Sequence, residues 1–153
     1  MGQRAKLPTD FADRCERSIP LEKVAVLGAG SWGTALAITL AHKGFKVMLW
    51  ARKSEDAEML NQKKENLKYL KNCPIPDNVL ATSDLEEVLS GVKAVVLSVP
   101  SNAVREVLKK CRKYIEKEAV LVNTAKGLEL QTLKRITEVM KEELPDYLGE
   151  RIA

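Results

Sequence analysis

Cysteine is scarce in this chain of 153 residues: Cys15, Cys73 and Cys111 are odd in number, widely spaced and without histidine partners at metal-ligand spacing. Neither a disulfide framework nor a metal site is expected, and a reducing compartment is the default. Glycine and proline, 8 and 6 residues, are too few for a collagenous or low-complexity chain. Long apolar runs are missing as well; none approaches the roughly 20 residues that span a bilayer. The first residues lack the apolar core of a signal peptide, and Asp10, Asp13 and Glu16 are more acidic than a transit peptide tolerates. Charge of one sign is in short supply, since 25 basic against 21 acidic residues leave only +4. Such an excess is thin for a nucleic-acid binder and suits a small anionic ligand as well. The expectation is a cytoplasmic protein that engages neither nucleic acid nor membrane.

What is present argues for a packed core. A chain of this length, 45% hydrophobic and 30% charged, can bury about 68–70% of its unfolded surface as one domain. Residues 1–20 read as a poorly ordered extension and 21–153 as the fold. From Lys23 onward, short β-branched runs at 24–27, 47–50, 79–81, 94–99 and 120–122 alternate with helical spacing at 32–43, 54–64, 83–89, 102–113 and 132–143. Each run is apolar throughout, as strands covered on both faces are. The alternation predicts a mostly parallel α/β sheet. Ser83-Asp84-Leu85-Glu86 reads as a capping box with Ser83 at the cap. The segment 65–78, with Pro74 and Pro76, reads as one long irregular connection.

Gly28-Ala29-Gly30-Ser31-Trp32-Gly33 follows the strongest β-run and opens a helix, the context in which a G-x-G-x-x-G match carries weight. Gly28 permits the tight turn, Gly30 clears the approach of a pyrophosphate, and Gly33 lets helix and strand pack closely. The helix start then meets the phosphate charge with its amides and dipole. Ser31 either adds a hydroxyl to the phosphate or caps the helix. At the end of the second strand, where an acid would bind the ribose of NAD, the chain reads Trp50-Ala51-Arg52-Lys53. Arg52 and Lys53 place two cations where a 2′-phosphate would sit. One charged hydrogen bond of roughly 1.5–3 kcal/mol favours NADP over NAD by on the order of 10- to 100-fold. The fold class that follows is a doubly wound, Rossmann-type sheet in a single domain. It has five strands where six are common, so it looks unfinished.

The block from Val26 through the glycine turn to Ala37 closely resembles the start of NAD(P)-dependent glycerol-3-phosphate dehydrogenases. Trp50-Ala51-Arg52, Asn66 with Tyr69-Leu70, Ile75-Pro76-Asp77-Asn78, Thr82-Ser83-Asp84-Leu85, Val99-Pro100-Ser101 and Lys126-Gly127-Leu128-Glu129 agree in order and spacing. The resemblance covers about residues 23–144. It implies that Ser31 and Trp32 contact the dinucleotide, Arg52 and Lys53 its adenosine end, and Lys126 both the cofactor and the substrate phosphate. The activity implied is hydride transfer between dihydroxyacetone phosphate and sn-glycerol 3-phosphate, feeding glycerolipid synthesis, with a homodimer left open for the longer enzyme. The family's acid/base lysine belongs to a helical second domain, so no catalytic residue is assigned here and that domain is expected to be absent. Lys71 departs from the family's proline after Tyr-Leu. A Rossmann module that senses dinucleotides without chemistry is the alternative.

Other features carry less. His42, the only histidine, falls at a helix end and complements its dipole. Lys109, Lys110, Arg112 and Lys113 form a basic patch best read as charges in the last helical turn. Trp50 is expected to pack, and Cys73 and Cys111 have no adjacent base.

Overall fold

A computed structural model describes residues 22–145 and 151–153. The expected extension over 1–20, Cys15 within it, lies outside the described residues. The chain opens with β1 (Lys23–Leu27), α1 (Ser31–His42), β2 (Lys46–Trp50) and α2 (Ser54–Lys63). Two short strands follow, β3 (Glu65–Asn66) and β4 (Leu70–Pro74), then β5 (Val79–Thr82) and α3 (Leu85–Leu89). The remainder is β6 (Ala94–Leu97), α4 (Val104–Cys111), β7 (Val120–Asn123) and α5 (Ile136–Glu143).

Side chains alternate across a strand, and here both faces are apolar. Ala25 and Leu27 of β1 join one buried cluster with Val88 of α3, Leu108 of α4 and Met140 of α5. Val24 and Val26 join the other, with Ala37 and Ala41 of α1 and Leu60 of α2. The strands therefore form a central layer between two helical layers, in the order β5-β2-β1-β6-β7. All four pairings are parallel. The order reverses between β1 and β6, which opens a crevice beyond their carboxyl ends.

Several expectations need correction. The segment 65–78 is not irregular throughout: β3 and β4 pair antiparallel, with a register shift between Glu65 and Asn66. Proline is tolerated at the end of a short edge strand, so Pro74 closes this hairpin without forbidding it. Asp84, not Ser83, caps α3; its Oδ1 accepts from the Glu86 amide at 2.8 Å and the Glu87 amide at 3.4 Å. The helix begins one residue later than expected, which moves the cap with it. The strand expected at 94–99 ends at Leu97, and 3-10 turns at Ser101–Ala103 and Arg112–Tyr114 flank α4. The helix expected from Thr132 begins at Ile136. Residues 132–135 instead close a loop in which the Glu129 amide donates to the Lys134 carbonyl at 2.9 Å.

The far edge of the sheet is extended. The Leu121 and Asn123 amides donate to the carbonyls of Arg151 and Ala153 at 2.9 and 2.8 Å, which lays 151–153 parallel to β7. Part of the basic patch has intramolecular partners. Lys113 lies 4.5 Å over the Tyr114 ring, and Arg112 donates to the Glu143 carbonyl at 3.4 Å. Trp50 packs in the core and donates its indole N–H to the Ser83 carbonyl at 3.0 Å. Cys111 is fully buried on α4, and burial pushes its thiol up to about 12. Among the described residues no helix is long and apolar enough to cross a membrane.

Candidate functional site

The glycine turn joins β1 to α1, and its residues divide the work. Gly28 has φ +120, and a Cβ there would lie 2.5 Å from the Ser98 carbonyl oxygen. A Cβ on Gly33 would fall 1.8 Å from the Gly28 oxygen. Both positions exclude any side chain, because backbone occupies the space. At Gly30 nothing lies within 4 Å of such an atom. Gly28 thus lets the turn lie against the end of β6, Gly33 lets α1 lie against the turn, and Gly30 leaves the turn open.

Gly30 is also the cap of α1, in extended conformation and without any side-chain hydrogen bond. Of the two roles open to Ser31, capping is not realised: it is the first helical residue and exposed. The first amides of α1 therefore have no side-chain acceptor, and the positive end of the helix faces the crevice. The turn is braced from behind by β3. The buried Asn66 amide group donates to the Ala29 carbonyl at 3.0 Å and to Thr34 Oγ1 at 2.7 Å. Its own oxygen accepts from the Tyr69 amide at 3.1 Å.

A groove runs across the turn in two lobes. The larger, about 550 Å3, is lined by Gly28, Gly30, Arg52, Lys53 and Tyr69 among others. The second, about 370 Å3, is lined by Ser31, Trp32, Thr124 and Lys126 among others. Gly30, Ser98, Val99 and Pro100 belong to both, so Gly30 sits between the lobes. Arg52 and Lys53 are exposed at one end, with Asp56 on the same wall. At the other end the Lys126 ammonium lies 5.9 Å over the Trp32 ring, which is 55% exposed. All eight residues expected at the site, Gly28, Gly30, Ser31, Trp32, Gly33, Arg52, Lys53 and Lys126, lie in the turn or around this groove.

Sequence reasoning missed four participants. Ser98, at the carboxyl end of β6, lines both lobes, and its Oγ is the one buried side-chain polar atom without a partner among the described residues. Buried hydroxyls are normally satisfied, so this is a polar atom at the groove that the fold itself leaves unpaired. Its place at a strand end was the available signal. Lys68 and Tyr69 come from the turn between β3 and β4, a segment whose sequence shows no strand pattern; Lys68 sits 4.9 Å over the Tyr69 ring. The fourth is Arg105 of α4, which grips the loop that carries Lys126. Its Nε and Nη2 each donate to one oxygen of Glu129 at 2.8 Å, and it also binds Glu142 at 2.9 Å and Glu143 at 2.5 Å on α5. The Arg105 guanidinium and the Thr132 hydroxyl hold the Glu129 carboxyl down to about 2. Lys134 pairs with Glu142, and Arg112 lies 3.9 Å from Glu143, so three cations balance three carboxylates.

An open turn with uncapped amides, an unpartnered buried hydroxyl and cations at both ends fit an elongated ligand with phosphate at its middle. The family model described as NAD-dependent glycerol-3-phosphate dehydrogenase N-terminus matches residues 23–153. A glycerol-3-phosphate dehydrogenase [NAD(P)+] of Moorella thermoacetica is 52% identical over 122 residues, 80% of this chain and 36% of that protein. One from Bacillus velezensis is 44% identical over 126 residues, 82% of this chain and 36% of that protein. The crystal structure of the enzyme from Coxiella burnetii superposes with a TM-score of 0.77 at 36% identity, covering 87% of this chain and 39% of that one. The chain spans little more than a third of the length of these relatives.

Proposed function

Because the chain belongs to the NAD-dependent glycerol-3-phosphate dehydrogenase family, matching its N-terminal part, we propose that residues 21–153 are the dinucleotide-binding domain of such an enzyme. The reaction assigned is interconversion of dihydroxyacetone phosphate and sn-glycerol 3-phosphate. The observation that carries the proposal is the groove centred on Gly30, with Arg52 and Lys53 at one end and Lys126 at the other.

Each group has a task that follows from its position. The first amides of α1 hold the diphosphate, and the open face of Gly30 lets it approach. Ser31 adds its hydroxyl from the first turn of the helix, and Trp32 offers an apolar face beside Lys126. Arg52 and Lys53 bind the adenosine end and favour the 2′-phosphate of NADP. Lys126 supplies a point charge for the substrate phosphate as well as the cofactor. A bound nicotinamide supplies or accepts the hydride. No residue of this chain is assigned as acid or base, and the chain alone is expected to turn over nothing measurable.

Calorimetric titration with NADPH and NADH tests this reading. NADPH should bind tighter by on the order of tenfold, the effect of one charged hydrogen bond. Arg52→Gln should bring the two affinities together. Equal affinities in the parent chain, or preference for NADH, would remove the role given to Arg52 and Lys53; binding of neither would remove the cofactor site altogether.

A further inference from the structure

The loop that carries Lys126 is anchored by a charge where an apolar side chain would ordinarily serve. Between Thr124 and Arg135 the single buried residue is Glu129. Leu128, Leu130 and Leu133 are 44%, 76% and 72% exposed, so the leucines of the loop give it little hydrophobic hold on the domain. Its grip comes from the two-point contact of Arg105 with Glu129, supported by the Thr132 hydroxyl. The helices that flank this contact have apolar anchors of their own. Val104, Val107 and Leu108 seat α4 in the core, and Ile136, Val139 and Met140 seat α5. The ion cluster ties α4 to α5 as well, through Glu142 and Glu143, and in the loop it is Glu129 that Arg105 grips.

We propose that Arg105 is a positioning residue for Lys126: through Glu129 it holds the loop so that the Lys126 ammonium faces the groove beside Trp32. Glu129 lies three residues beyond Lys126, and Gly127, at φ +95, lies between them. The near side of Lys126 is tied down by Thr124, whose amide and hydroxyl donate to the Leu97 carbonyl at 3.0 and 2.7 Å. On its far side the glycine leaves the backbone free, so the setting of Lys126 also depends on the next anchored residue, Glu129. The planar guanidinium suits that task, because its fork holds both carboxylate oxygens at once while its remaining N–H reaches α5. A lysine keeps the charge and loses the fork. The inference rests on the role given above to Lys126, and the test separates the two.

Amide hydrogen exchange and NADPH titration are measured on the 153-residue chain with Arg105→Lys, Glu129→Gln, Lys126→Met and the Arg105→Lys/Lys126→Met pair. The loop amides of Glu129 and Leu133, which donate at 2.9 and 2.7 Å within the loop, report its closure. Exchange at these two should quicken about tenfold in Arg105→Lys while the β1 amides keep the parent rate. NADPH affinity should fall about fivefold, and that loss should vanish once Lys126 is already Met. Unchanged loop exchange, or losses that simply add in the double variant, would overturn the proposal. Should Arg105→Lys loosen β1 as well, the isosteric Glu129→Gln, alone and paired with Lys126→Met, decides by the same two criteria. If Lys126→Met binds NADPH like the parent, the cofactor role of Lys126 falls and the positioning role with it. Faster loop exchange would in that case mark Arg105 as structural only.

Discussion

The glycine turn and the Lys126 loop flank one groove but are held by opposite kinds of force. The turn is fixed by exclusion and by neutral hydrogen bonds: Gly28 and Gly33 have no room for a side chain, and Asn66 ties Ala29, Thr34 and Tyr69 together. The loop is fixed by ionised groups around Arg105. The first arrangement is indifferent to pH and intolerant of added volume. The second tolerates volume, since its leucines already face solvent, and depends on the protonation of carboxylates. A groove built this way has one rigid wall and one conditional wall.

The largest expected effect lies on the rigid wall. Gly33→Ala puts a methyl 1.8 Å from a backbone oxygen, so helix and strand must separate. The cost should reach the upper end of overpacking, about 3 kcal/mol, read from the midpoint of urea unfolding, with loss of dinucleotide binding. A variant as stable as the parent would mean the turn is softer than its geometry indicates. Next comes Asn66→Ala, which strips partners from Thr34, Ala29 and Tyr69 together. Leaving buried polar groups unpaired costs about 1–3 kcal/mol, and the same loss should appear at neutral and acid pH. If the loss shrinks on acidification, the neutral character of this wall is misjudged.

The smallest effect on global stability, and the most diagnostic of the contrast, is acid release of the loop. Glu129 is held at about 2 in the fold against an ordinary 4.5, so the unfolded chain takes up its proton first. The support it gives is complete above the unfolded value and is lost as the pH falls from 4.5 towards 2. Protection of the Glu129 and Leu133 amides should therefore drop in that interval, ahead of the amides of α1. Parallel loss in both regions would erase the distinction between the walls.

The parts visible in the sequence are those written locally. The five parallel strands and the glycine turn announce themselves by β-branched runs and by glycines at fixed spacing. The β3–β4 hairpin does not, because its strands of two and five residues show no alternation and the register shifts within it. The cap of α3 was misplaced by one residue because Ser83 and Asp84 are both good caps, and which one serves depends on where the helix starts. Arg105 was invisible for a different reason. Its carboxylate partners stand 24, 37 and 38 residues away, and pairings at such distance leave no periodicity to read. Ser98 fell between the two cases: its strand was found, but only packing shows that its hydroxyl lacks a partner.

Cys111 gives the layer formed by α3, α4 and α5 a built-in reporter. Its thiol is sealed from solvent and its ionisation pushed to about 12, so alkylating reagents cannot reach a reactive sulfur while that layer is seated. The labelling rate at this one atom therefore counts how often the helical cover lifts from the sheet. A slow chemical clock is thus already wired into the protein, on the face opposite α1, and it needs no engineered probe.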